Sequence, residues 1–433
     1  MSKLAIIADD LSSATDCGIQ VAKSGLRTLV PLEGYQISSA SEAVDVVSID
    51  TDSRAVPPSE AYRRVRKVAS AVVAAGFRNI YKSLDSTLRG NLGAEIDAVL
   101  DVFDALVAIV APAFPFYGRT TVGGKHFLNG RLITQTEFGT DPQCPVKEAD
   151  LVRLFSLQSR RKAGLVQLST LRQGDAAVAA QLTALVSQGV ELVVFDAQVE
   201  ADLDRIAGAV VASRYRPLWV GSTGLARCIP AAVGFVVREG LKLRRLSATS
   251  LAMLVLGSAS EVTRKQLATL KTQRDVIAVE MNPFQVVAGG DTAANEMERC
   301  CSRLVDALGN GNDVVLHVSS SRAGVAAAKS LGLELGLDPI QVSTHIVTTL
   351  AHITRLVVDT CELRGIILTG GDTAKAVCNQ LGSMGIEIWD EVEPGIPLGR
   401  LVGDHALLVI TKAGGFGTPQ ALVNSLDALK RND

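Results

Sequence analysis

The sequence predicts an α/β protein: two α/β lobes with largely parallel sheets and an interdomain active-site cleft. Short apolar runs alternate with helical patterns along the whole chain, which is typical of βαβ units. Hydrophobic residues make up 47% of the 433 residues but aromatic residues only 4%, so the core must consist mainly of Val, Leu, Ile and Ala, as in buried parallel strands. The alternation lapses once, in a basic stretch between Val237 and Ser250, where we place the boundary between domains 1–240 and 241–433.

The elements of the N-terminal domain follow from its apolar periodicity. Apolar runs predict strands at Leu4–Ala8, Val44–Ile49, Asn79–Lys82, Leu106–Val110, Gly164–Leu168, Leu192–Phe195 and Leu218–Val220. Helical spacing predicts helices at Ala14–Lys23 and Ser59–Ala74. A further helix should bury one face, which carries apolar side chains at i, i+3, i+4 and i+7: Ile96, Val99, Leu100 and Phe103.

The C-terminal domain repeats this order of strand, Gly-rich turn and helix. The predicted strands are Met253–Leu256, Val276–Val279, Asp313–Val318, Gly365–Leu368 and Leu407–Ile410. Two helices with one buried stripe each follow the last two strands, and the stripes consist of Ala374, Val377, Cys378 and Leu381, and of Leu422, Leu426 and Leu429. Thr418 should be the N-cap of the last helix, because Pro419 then takes the first helical position.

Composition excludes several classes of function. A formal net charge of −2 gives no electrostatic footprint for nucleic acid. The seven cysteines contain no C-x-x-C pair, so we expect reduced thiols and a cytoplasmic protein, and no metal-ligand set is assigned. The longest apolar run, Ala105 to Phe116, is shorter than the ~20 residues that a membrane helix needs, so no membrane partner is expected. The oligomeric state stays open, a homo-oligomer included.

Charged residues follow the predicted strands of the N-terminal domain. Ligands bind at the carboxyl ends of strands in open parallel sheets, and carboxylates with arginines suit a small polyhydroxylated acid. Each residue alone could instead cap a helix or form a turn, as Asp9, Asp10, Asp85 or Ser86 could. The residues at these strand ends are Asp9, Asp10, Asp50, Asp52, Arg54, Lys82, Ser83, Asp85, Ser86 and Arg89, with Arg119 in the segment 114–121.

Glycine, serine and threonine follow the strands of the C-terminal domain instead. Small side chains and free amides before a helix would cradle phosphate, although each turn alone could merely be a tight connection. The Walker pattern G-x-x-x-x-G-K-[ST] and the pattern G-x-G-x-x-G are both absent, so neither a Walker loop nor a dinucleotide fingerprint is predicted. The turns are Gly257-Ser258-Ala259-Ser260, Gly370-Gly371-Asp372-Thr373 and Gly414-Gly415-Phe416-Gly417, with Ser319, Ser320 and Ser321 after a further strand.

Several of these segments together resemble the four-carbon acid sugar kinases, over almost the whole chain. They are Ile7-Ala8-Asp9-Asp10-Leu11, the run 82–91 with Asp85-Ser86-Thr87-Leu88-Arg89-Gly90, the segment 111–120, Thr369-Gly370-Gly371-Asp372-Thr373-Ala374, and Pro394–Arg400 followed by Thr411–Gly417. The resemblance implies that the N-terminal domain binds the sugar acid and the C-terminal domain binds ATP. The γ-phosphoryl group would then pass to the terminal hydroxyl of threonate, erythronate or 3-oxo-tetronate. One departure is Ser12-Ser13, where the family usually has Thr-Gly.

The resulting hypothesis is an ATP-dependent kinase that uses Mg²⁺. Asp9 or Asp85 would orient the attacking hydroxyl, and Arg54, Lys82 or Arg89 would bind the carboxylate. Lys412 would either neutralise the transferring phosphoryl group or be a surface lysine, and Asp372 would either place magnesium or cap its helix. The sugar-acid ligands would be Asp9, Asp10, Arg54, Lys82, Ser83, Asp85, Ser86 and Arg89, and the ATP ligands Ser258, Gly370, Gly371, Asp372, Thr373, Gly414, Gly415, Phe416 and Gly417.

Two other functions explain part of the pattern. A non-catalytic sugar-acid-binding sensor would account for the charged strand ends but leaves the Gly-rich turns without a task. An oxidoreductase that uses a nicotinamide cofactor would need a nucleotide site but lacks the dinucleotide fingerprint.

Overall fold

The chain folds into two compact units. The computed structural model describes residues 3–32, 37, 44–141, 143–213, 215–237, 249–258, 260–318 and 322–431. The first unit comprises Met1–Val30 and Gln36–Leu241, and the second comprises Pro31–Tyr35 and Lys242–Asp433. The predicted division at residues 240 and 241 falls in the basic stretch 238–248, which lies outside the described residues, as do Ala259 and Ser319–Ser321. The division and the cleft therefore stay predictions.

The first unit contains a parallel sheet of eight strands within the described residues, in the order β2-β3-β1-β4-β11-β5-β10-β9. The strands are β1 (Leu4–Ala8), β2 (Thr28–Pro31), β3 (Val46–Asp50), β4 (Asn79–Ser83), β5 (Ala108–Ala111), β9 (Ala163–Val166), β10 (Leu192–Phe195) and β11 (Leu218–Gly221). Every residue of β1 is fully buried, because helices cover both faces of such a sheet. This confirms the predicted α/β class for this unit.

Helices connect these strands. They are α1 (Leu11–Ala22), α2 (Pro58–Ala74), α3 (Leu92–Leu100), α4 (Leu151–Gln158), α5 (Leu168–Arg172), α6 (Asp175–Ser187), α7 (Glu200–Ala212), α8 (Thr223–Ala226) and α9 (Ile229–Ala232). Helix α1 begins three residues before the predicted start, since Asp10 accepts the amide of Ser13 and caps it. Phe103 was predicted on a helix face, but α3 ends at Leu100 and Phe103 is only half-buried.

A small antiparallel sheet in the first unit has no counterpart in the prediction. It consists of β6 (Arg119–Val122), β7 (Lys125–Leu128) and β8 (Arg131–Leu132), in that order. Both turns have two central residues with positive φ: Gly123 and Gly124 at 59° and 75°, then Asn129 and Gly130 at 49° and 78°. These are the dipeptides that two-residue hairpins require, so the signal was present in the sequence. Three short 3₁₀ helices flank the sheet at Pro115–Tyr117, Ile133–Gln135 and Glu137–Thr140.

The second unit contains a mixed sheet in the order β13-β14-β12-β15-β18-β17-β16. The strands are β12 (Ala252–Leu256), β13 (Val276–Met281), β14 (Asp313–Val318), β15 (Gly365–Thr369), β16 (Ser383–Glu393), β17 (Ile396–Gly403) and β18 (Leu408–Lys412). The first five strands in spatial order are parallel, as predicted. Strands β16 and β17 form a long antiparallel hairpin that the prediction missed, with Gly395 at a φ of 78° in its turn.

The helices of the second unit lie between these strands. They are α10 (Glu261–Gln273), α11 (Pro283–Ala288), α12 (Gly290–Gly309), α13 (Arg322–Glu334), α14 (Pro339–Thr360), α15 (Gly371–Gln380) and α16 (Ala421–Lys430). Both predicted apolar stripes are buried. The predicted start of the last helix is wrong, because α16 begins at Ala421 with Gln420 as its N-cap. Thr418 lies in a turn before this helix, and its Oγ1 accepts a hydrogen bond from the amide of Gln420 at 3.3 Å. Within the described residues, no helix combines the length and the apolar character that crossing a bilayer requires.

The fold makes opposite predictions for two helical glycines. A Cβ on Gly93 in α3 would lie 2.5 Å from the backbone carbon of Gln158, whereas a Cβ on Gly208 in α7 would meet nothing within 4 Å. Gly93→Ala should therefore destabilise the protein by about 1–3 kcal/mol through overpacking. Gly208→Ala should stabilise it by about 0.5–1 kcal/mol, because alanine is the better helix former. Urea unfolding of both variants measures the difference, and a stabilised Gly93→Ala would contradict the close packing.

Candidate functional site

Three neighbouring strands of the first unit bring their charged ends together. Strands β3, β1 and β4 are adjacent and parallel, so Arg54, Asp9 and Asp85 follow them at one edge of the sheet. The backbone after β3 is tied to this edge, since the amides of Ser53 and Arg54 donate to the carbonyl of Asp9 at 2.9 and 3.2 Å. The structure thus brings these three predicted residues to the same end of the sheet.

Arg54 binds the two acidic residues after β1. Its Nε lies 2.7 Å from Asp9 Oδ2, and its Nη2 lies 3.0 Å from Asp9 Oδ1, so Asp9 occupies the bidentate edge of the guanidinium. Its Nη1 lies 2.5 Å from Asp10 Oδ2. Burial raises the pKa of Asp10, although Arg54 opposes the shift. Because these carboxylates occupy both Nε and Nη1, Arg54 arranges Asp9 and Asp10 rather than offering a free fork to a ligand.

Ser13 also contributes to this arrangement. Its hydroxyl accepts a hydrogen bond from Arg54 Nη2 at 2.9 Å, and its amide donates to Asp10 Oδ1 at 2.7 Å. The helix-cap alternative is therefore right for Asp10. The departure at position 13 from the family's usual glycine adds a contact here, since a glycine has no hydroxyl to hold the guanidinium.

Asp85 lies in a tight loop after β4. Its Oδ2 accepts hydrogen bonds from Thr87 Oγ1 at 2.5 Å and Arg89 Nε at 2.7 Å. Burial alone would raise the pKa of Asp85, but Arg54 and Arg89 outweigh burial and hold it at about 2. Leu88 adopts a φ of 64° in this loop, a conformation that costs about 1–3 kcal/mol for a residue with a side chain. Such strain clusters at functional sites, which supports a role for this loop.

Lys82 is a buried cation with its own counter-ion. Its Nζ lies 2.7 Å from Glu95 Oε2 and also donates to the carbonyl of Ser83 at 2.6 Å. Ser53 Oγ donates to the other oxygen of Glu95 at 2.7 Å. Burial raises the pKa of Glu95, while Lys82 opposes the shift. Glu95 was missed by the sequence analysis, although a lysine inside an apolar strand signals that a buried carboxylate must lie nearby.

His126 positions the backbone of the Asp85 loop. Its Nε2 lies 2.9 Å from the carbonyl oxygen of Ser86, and its Nδ1 lies 3.0 Å from Thr121 Oγ1. Burial lowers the pKa of His126 to about 4, so the ring is neutral near pH 7. A carbonyl only accepts, so Nε2 carries the proton and Nδ1 accepts from Thr121. His126 was not predicted in any role, and it ties hairpin β6–β7 to this loop. The Ser83 hydroxyl lies 3.2 Å from Cys17 Sγ.

Three Gly-rich turns of the second unit also meet at one edge of a sheet. Strands β12, β15 and β18 are adjacent and parallel, and each ends in one of the predicted turns. A Cβ on Gly257 would overlap Thr373 Oγ1, and a Cβ on Gly414 would overlap Ser258 Oγ. Glycine is therefore required at both positions for the turns to pack against each other.

The turn after β15 presents free backbone amides. Gly370 has a φ of 105° and is the N-cap of α15 without a side-chain cap. The first amides of a helix have no acceptor within the helix, so Gly371, Asp372 and Thr373 present N–H groups beside the positive end of the helix dipole. Gly371 and Asp372 are exposed, and a Cβ on Gly371 would meet nothing within 4 Å. Asp372 is exposed and makes no cap, so the cap alternative is wrong.

The buried side chain of Lys412 binds backbone carbonyls of the turn after β18. Its side chain is 3% exposed, which excludes the surface-lysine alternative. The Nζ donates to the carbonyls of Ala413 at 3.0 Å and Phe416 at 3.1 Å, and it lies 3.5 Å from that of Gly414. Burial lowers the pKa of Lys412 to about 8, and Glu393 opposes this shift only in part.

Polar side chains that the sequence analysis left unassigned hold the same turn. Thr263 Oγ1 donates to the carbonyl of Gly414 at 3.0 Å, and Gln266 Nε2 donates to that of Phe416 at 3.0 Å. The amide of Thr418 is occupied by Glu393 Oε2 at 2.8 Å. The expected helix N-terminus at Gly414–Thr418 is therefore wrong, and only the glycine amides of the turn remain as candidates for a phosphate. Among the described residues, no group of three or more His, Cys, Asp or Glu could hold a metal ion.

Comparison with known proteins assigns each half of the chain to a domain family. Residues 4–229 match the family model of a sugar-binding N-terminal domain, and residues 253–422 match that of a nucleotide-binding C-terminal domain. The first range contains the cluster of charged residues around Asp9, Arg54 and Asp85, and the second contains all three Gly-rich turns. The resemblance noted from the sequence motifs is thereby confirmed.

Full-length relatives agree with this division. A D-threonate kinase of Salmonella typhimurium is 33% identical over 98% of this chain and 97% of the relative. A D-erythronate kinase of Heliobacterium modesticaldum is 34% identical over 99% of this chain and 97% of the relative. The crystal structure of Haemophilus influenzae protein HI1011 shares the fold, with a TM-score of 0.80 at 23% identity over 99% of this chain and 100% of that chain. The chain therefore belongs to the family of four-carbon acid sugar kinases, in which a sugar-binding N-terminal domain precedes a nucleotide-binding C-terminal domain.

Proposed function

We propose that this chain transfers the γ-phosphoryl group of ATP to a hydroxyl of a four-carbon sugar acid: threonate, erythronate or 3-oxo-tetronate. The observation that carries the proposal is the uncapped N-terminus of α15, which lies among glycine turns in the half of the chain that matches a nucleotide-binding domain. The charged cluster lies in the half that matches a sugar-binding domain. A non-catalytic sensor would leave the first feature unused.

The carboxylates of the first unit suit the hydroxyls of the acid. Asp85 has a pKa of about 2, so it is ionised at neutral pH and accepts hydrogen bonds from hydroxyl groups. A carboxylate with so low a pKa is a weak base. Its role is therefore to orient the attacking oxygen, which is sufficient for a loose transition state that needs little covalent help. Asp9, held by Arg54, takes the second orienting position.

The backbone amides of the second unit suit the phosphates of ATP. The amides of Gly371, Asp372 and Thr373 belong to the first turn of α15, which has no side-chain cap, and the glycine turn 414–417 follows the adjacent strand β18. Magnesium binds one or two carboxylates and otherwise phosphate oxygens and water, so the lack of an acidic cluster among the described residues fits Mg²⁺ held mainly by ATP. Asp372, exposed and without a capping role, is the candidate carboxylate.

A panel of substrates tests the proposed reaction. With ATP and Mg²⁺, we expect ADP release with at least one of D- and L-threonate, D- and L-erythronate and their 3-oxo forms, measured by a coupled assay. NAD in place of ATP should give neither turnover nor a rise in melting temperature. Tight binding of an acid without ADP release for any member would contradict the kinase and support the sensor.

The Asp85→Asn variant tests the orienting carboxylate. The amide keeps the shape but loses the charge that Arg54 and Arg89 face, so we expect kcat to fall by roughly 10²–10³-fold, in line with other losses of electrostatic positioning. The matched control is Asp52→Asn, because the Asp52 side chain is 79% exposed and follows β3 at the same end of the sheet. Its steady-state kinetics should match the unmodified enzyme. Full turnover by Asp85→Asn would remove Asp85 from the reaction.

The pH profile tests the support given by Lys412. Below about pH 8 the ammonium is charged and donates to the carbonyls of the turn, and above it the group loses a proton and this support weakens. We expect kcat/KM for ATP to fall above about pH 8 in the unmodified enzyme. Lys412→Met should lower kcat/KM for ATP at pH 7 by about tenfold and lack the inflection. An inflection that persists in the variant would assign it to another group.

A further inference from the structure

The carboxylate of a sugar acid needs a cation whose hydrogen-bond donors are free. The three cations predicted for this task are all engaged by carboxylates of the protein. Arg54 binds Asp9 through its bidentate edge, Lys82 binds Glu95, and Arg89 binds Asp85. A substrate carboxylate would have to displace one of these partners, which would leave a buried protein charge unpaired.

Arg119 is a nearby cation whose bidentate edge has no carboxylate partner among the described residues. Its Nη1 donates to the carbonyl of Tyr117 at 2.8 Å, and its guanidinium lies 5.5 Å from the centre of the Tyr117 ring. Its Nε is buried without a hydrogen-bond partner, and among the described residues no acceptor is found for Nη2 and no carboxylate forms an ion pair with it. Nε and Nη2 together form the planar fork that matches a carboxylate.

The electrostatic setting of Arg119 differs from that of the other two arginines. Burial opposes the charge of all three guanidinium groups, but at Arg54 and Arg89 the neighbouring carboxylates outweigh burial and raise the pKa. At Arg119 burial prevails, and the pKa is lowered. A half-buried cation with an unsatisfied buried donor costs free energy in the free protein, and a bound anion would offset that cost.

Backbone and side-chain contacts place Arg119 at the same edge as the charged cluster. Arg119 and Phe114 exchange backbone hydrogen bonds of 2.8 and 3.1 Å just beyond the carboxyl end of β5. The hairpin that begins at Arg119 carries His126, which binds the carbonyl of Ser86 beside Asp85. Arg119 and Asp85 also interact electrostatically.

We propose that Arg119 binds the carboxylate of the sugar acid through its Nε and Nη2 edge. The inference rests on the proposed function and deepens it, because it divides the recognition of one substrate between two groups of residues. Arg119 binds the acid end, while Asp9 and Asp85 face the hydroxyl end, which is where phosphoryl transfer takes place. The acid is thereby selected over an uncharged polyol by one arginine that lies on the hairpin rather than on the central strands.

Steady-state kinetics of Arg119→Gln test the assignment. Losing one member of a desolvated charge pair typically costs a factor of roughly 30 or more in affinity, so we expect KM for the sugar acid to rise at least about 30-fold. KM for ATP should stay within about twofold of the value for the unmodified enzyme. Arg119→Lys should raise KM for the acid by a smaller factor, because it keeps the charge and loses the fork. The control is Arg131→Gln, an exposed arginine on strand β8 of the same small sheet, which should change neither constant.

The outcomes separate this inference from the proposed function. If the unmodified enzyme phosphorylates no four-carbon acid, the proposed function fails. If it does, and Arg119→Gln keeps KM for the acid within twofold, the assignment of Arg119 is wrong. A parallel rise of KM for the acid and KM for ATP would show a general structural role and would also overturn the assignment. Should Arg119→Gln not fold, as judged by its melting curve, an unchanged KM for the acid in Arg119→Lys would overturn it.

Discussion

The N-terminal unit depends on pairing the charges that strands β1, β3 and β4 bring to one buried edge. Adjacent parallel strands end at the same side of a sheet, so Asp9, Arg54 and Asp85 are forced together by topology. Buried charges are tolerated only when they are paired and hydrogen-bonded. The bidentate contact of Arg54 with Asp9 satisfies this condition and fixes both groups before any ligand arrives. Such a preorganised edge suits a small polar substrate, since little is left to reorganise on binding.

The C-terminal unit solves a different problem with different residues. A phosphate needs close approach to backbone amides, and side chains would prevent it. Thr373 and Ser258 fill the space that a Cβ on Gly257 or Gly414 would take, so the glycine turns lock into each other. In the turn after β18, Lys412 and Gln266 both donate hydrogen bonds to the carbonyl of Phe416. The Phe416 amide is also engaged, since it donates to the carbonyl of Ala413 at 3.1 Å, so the glycine amides of this turn are the candidates for binding a phosphate.

Internal neutralisation also decides which residues can recognise the acid. In sequence, Arg54, Lys82, Arg89 and Arg119 are equivalent cations near strand ends. Within the part of the chain that the structure describes, three of them have a carboxylate partner and the fourth does not. The contribution of a cation to binding thus depends on whether its donors are already used. In the proposed complex, electrostatic complementarity works through the guanidinium of Arg119, which has no carboxylate partner among the described residues.

The sequence by itself determined three things: the alternation of strands and helices along the chain, the charged and Gly-rich residues that follow the strands, and the family motifs. Apolar runs such as Leu4–Ala8 and Asp313–Val318 are local signals, and they match the observed strands residue for residue. Only the tertiary structure decided the partners. Glu95 reaches Lys82 from a helix, and His126 reaches Ser86 from a hairpin, because contacts between residues distant in sequence depend on packing rather than on spacing. For the same physical reason, the unpaired edge of Arg119 could be recognised only after the partners of the other cations were known.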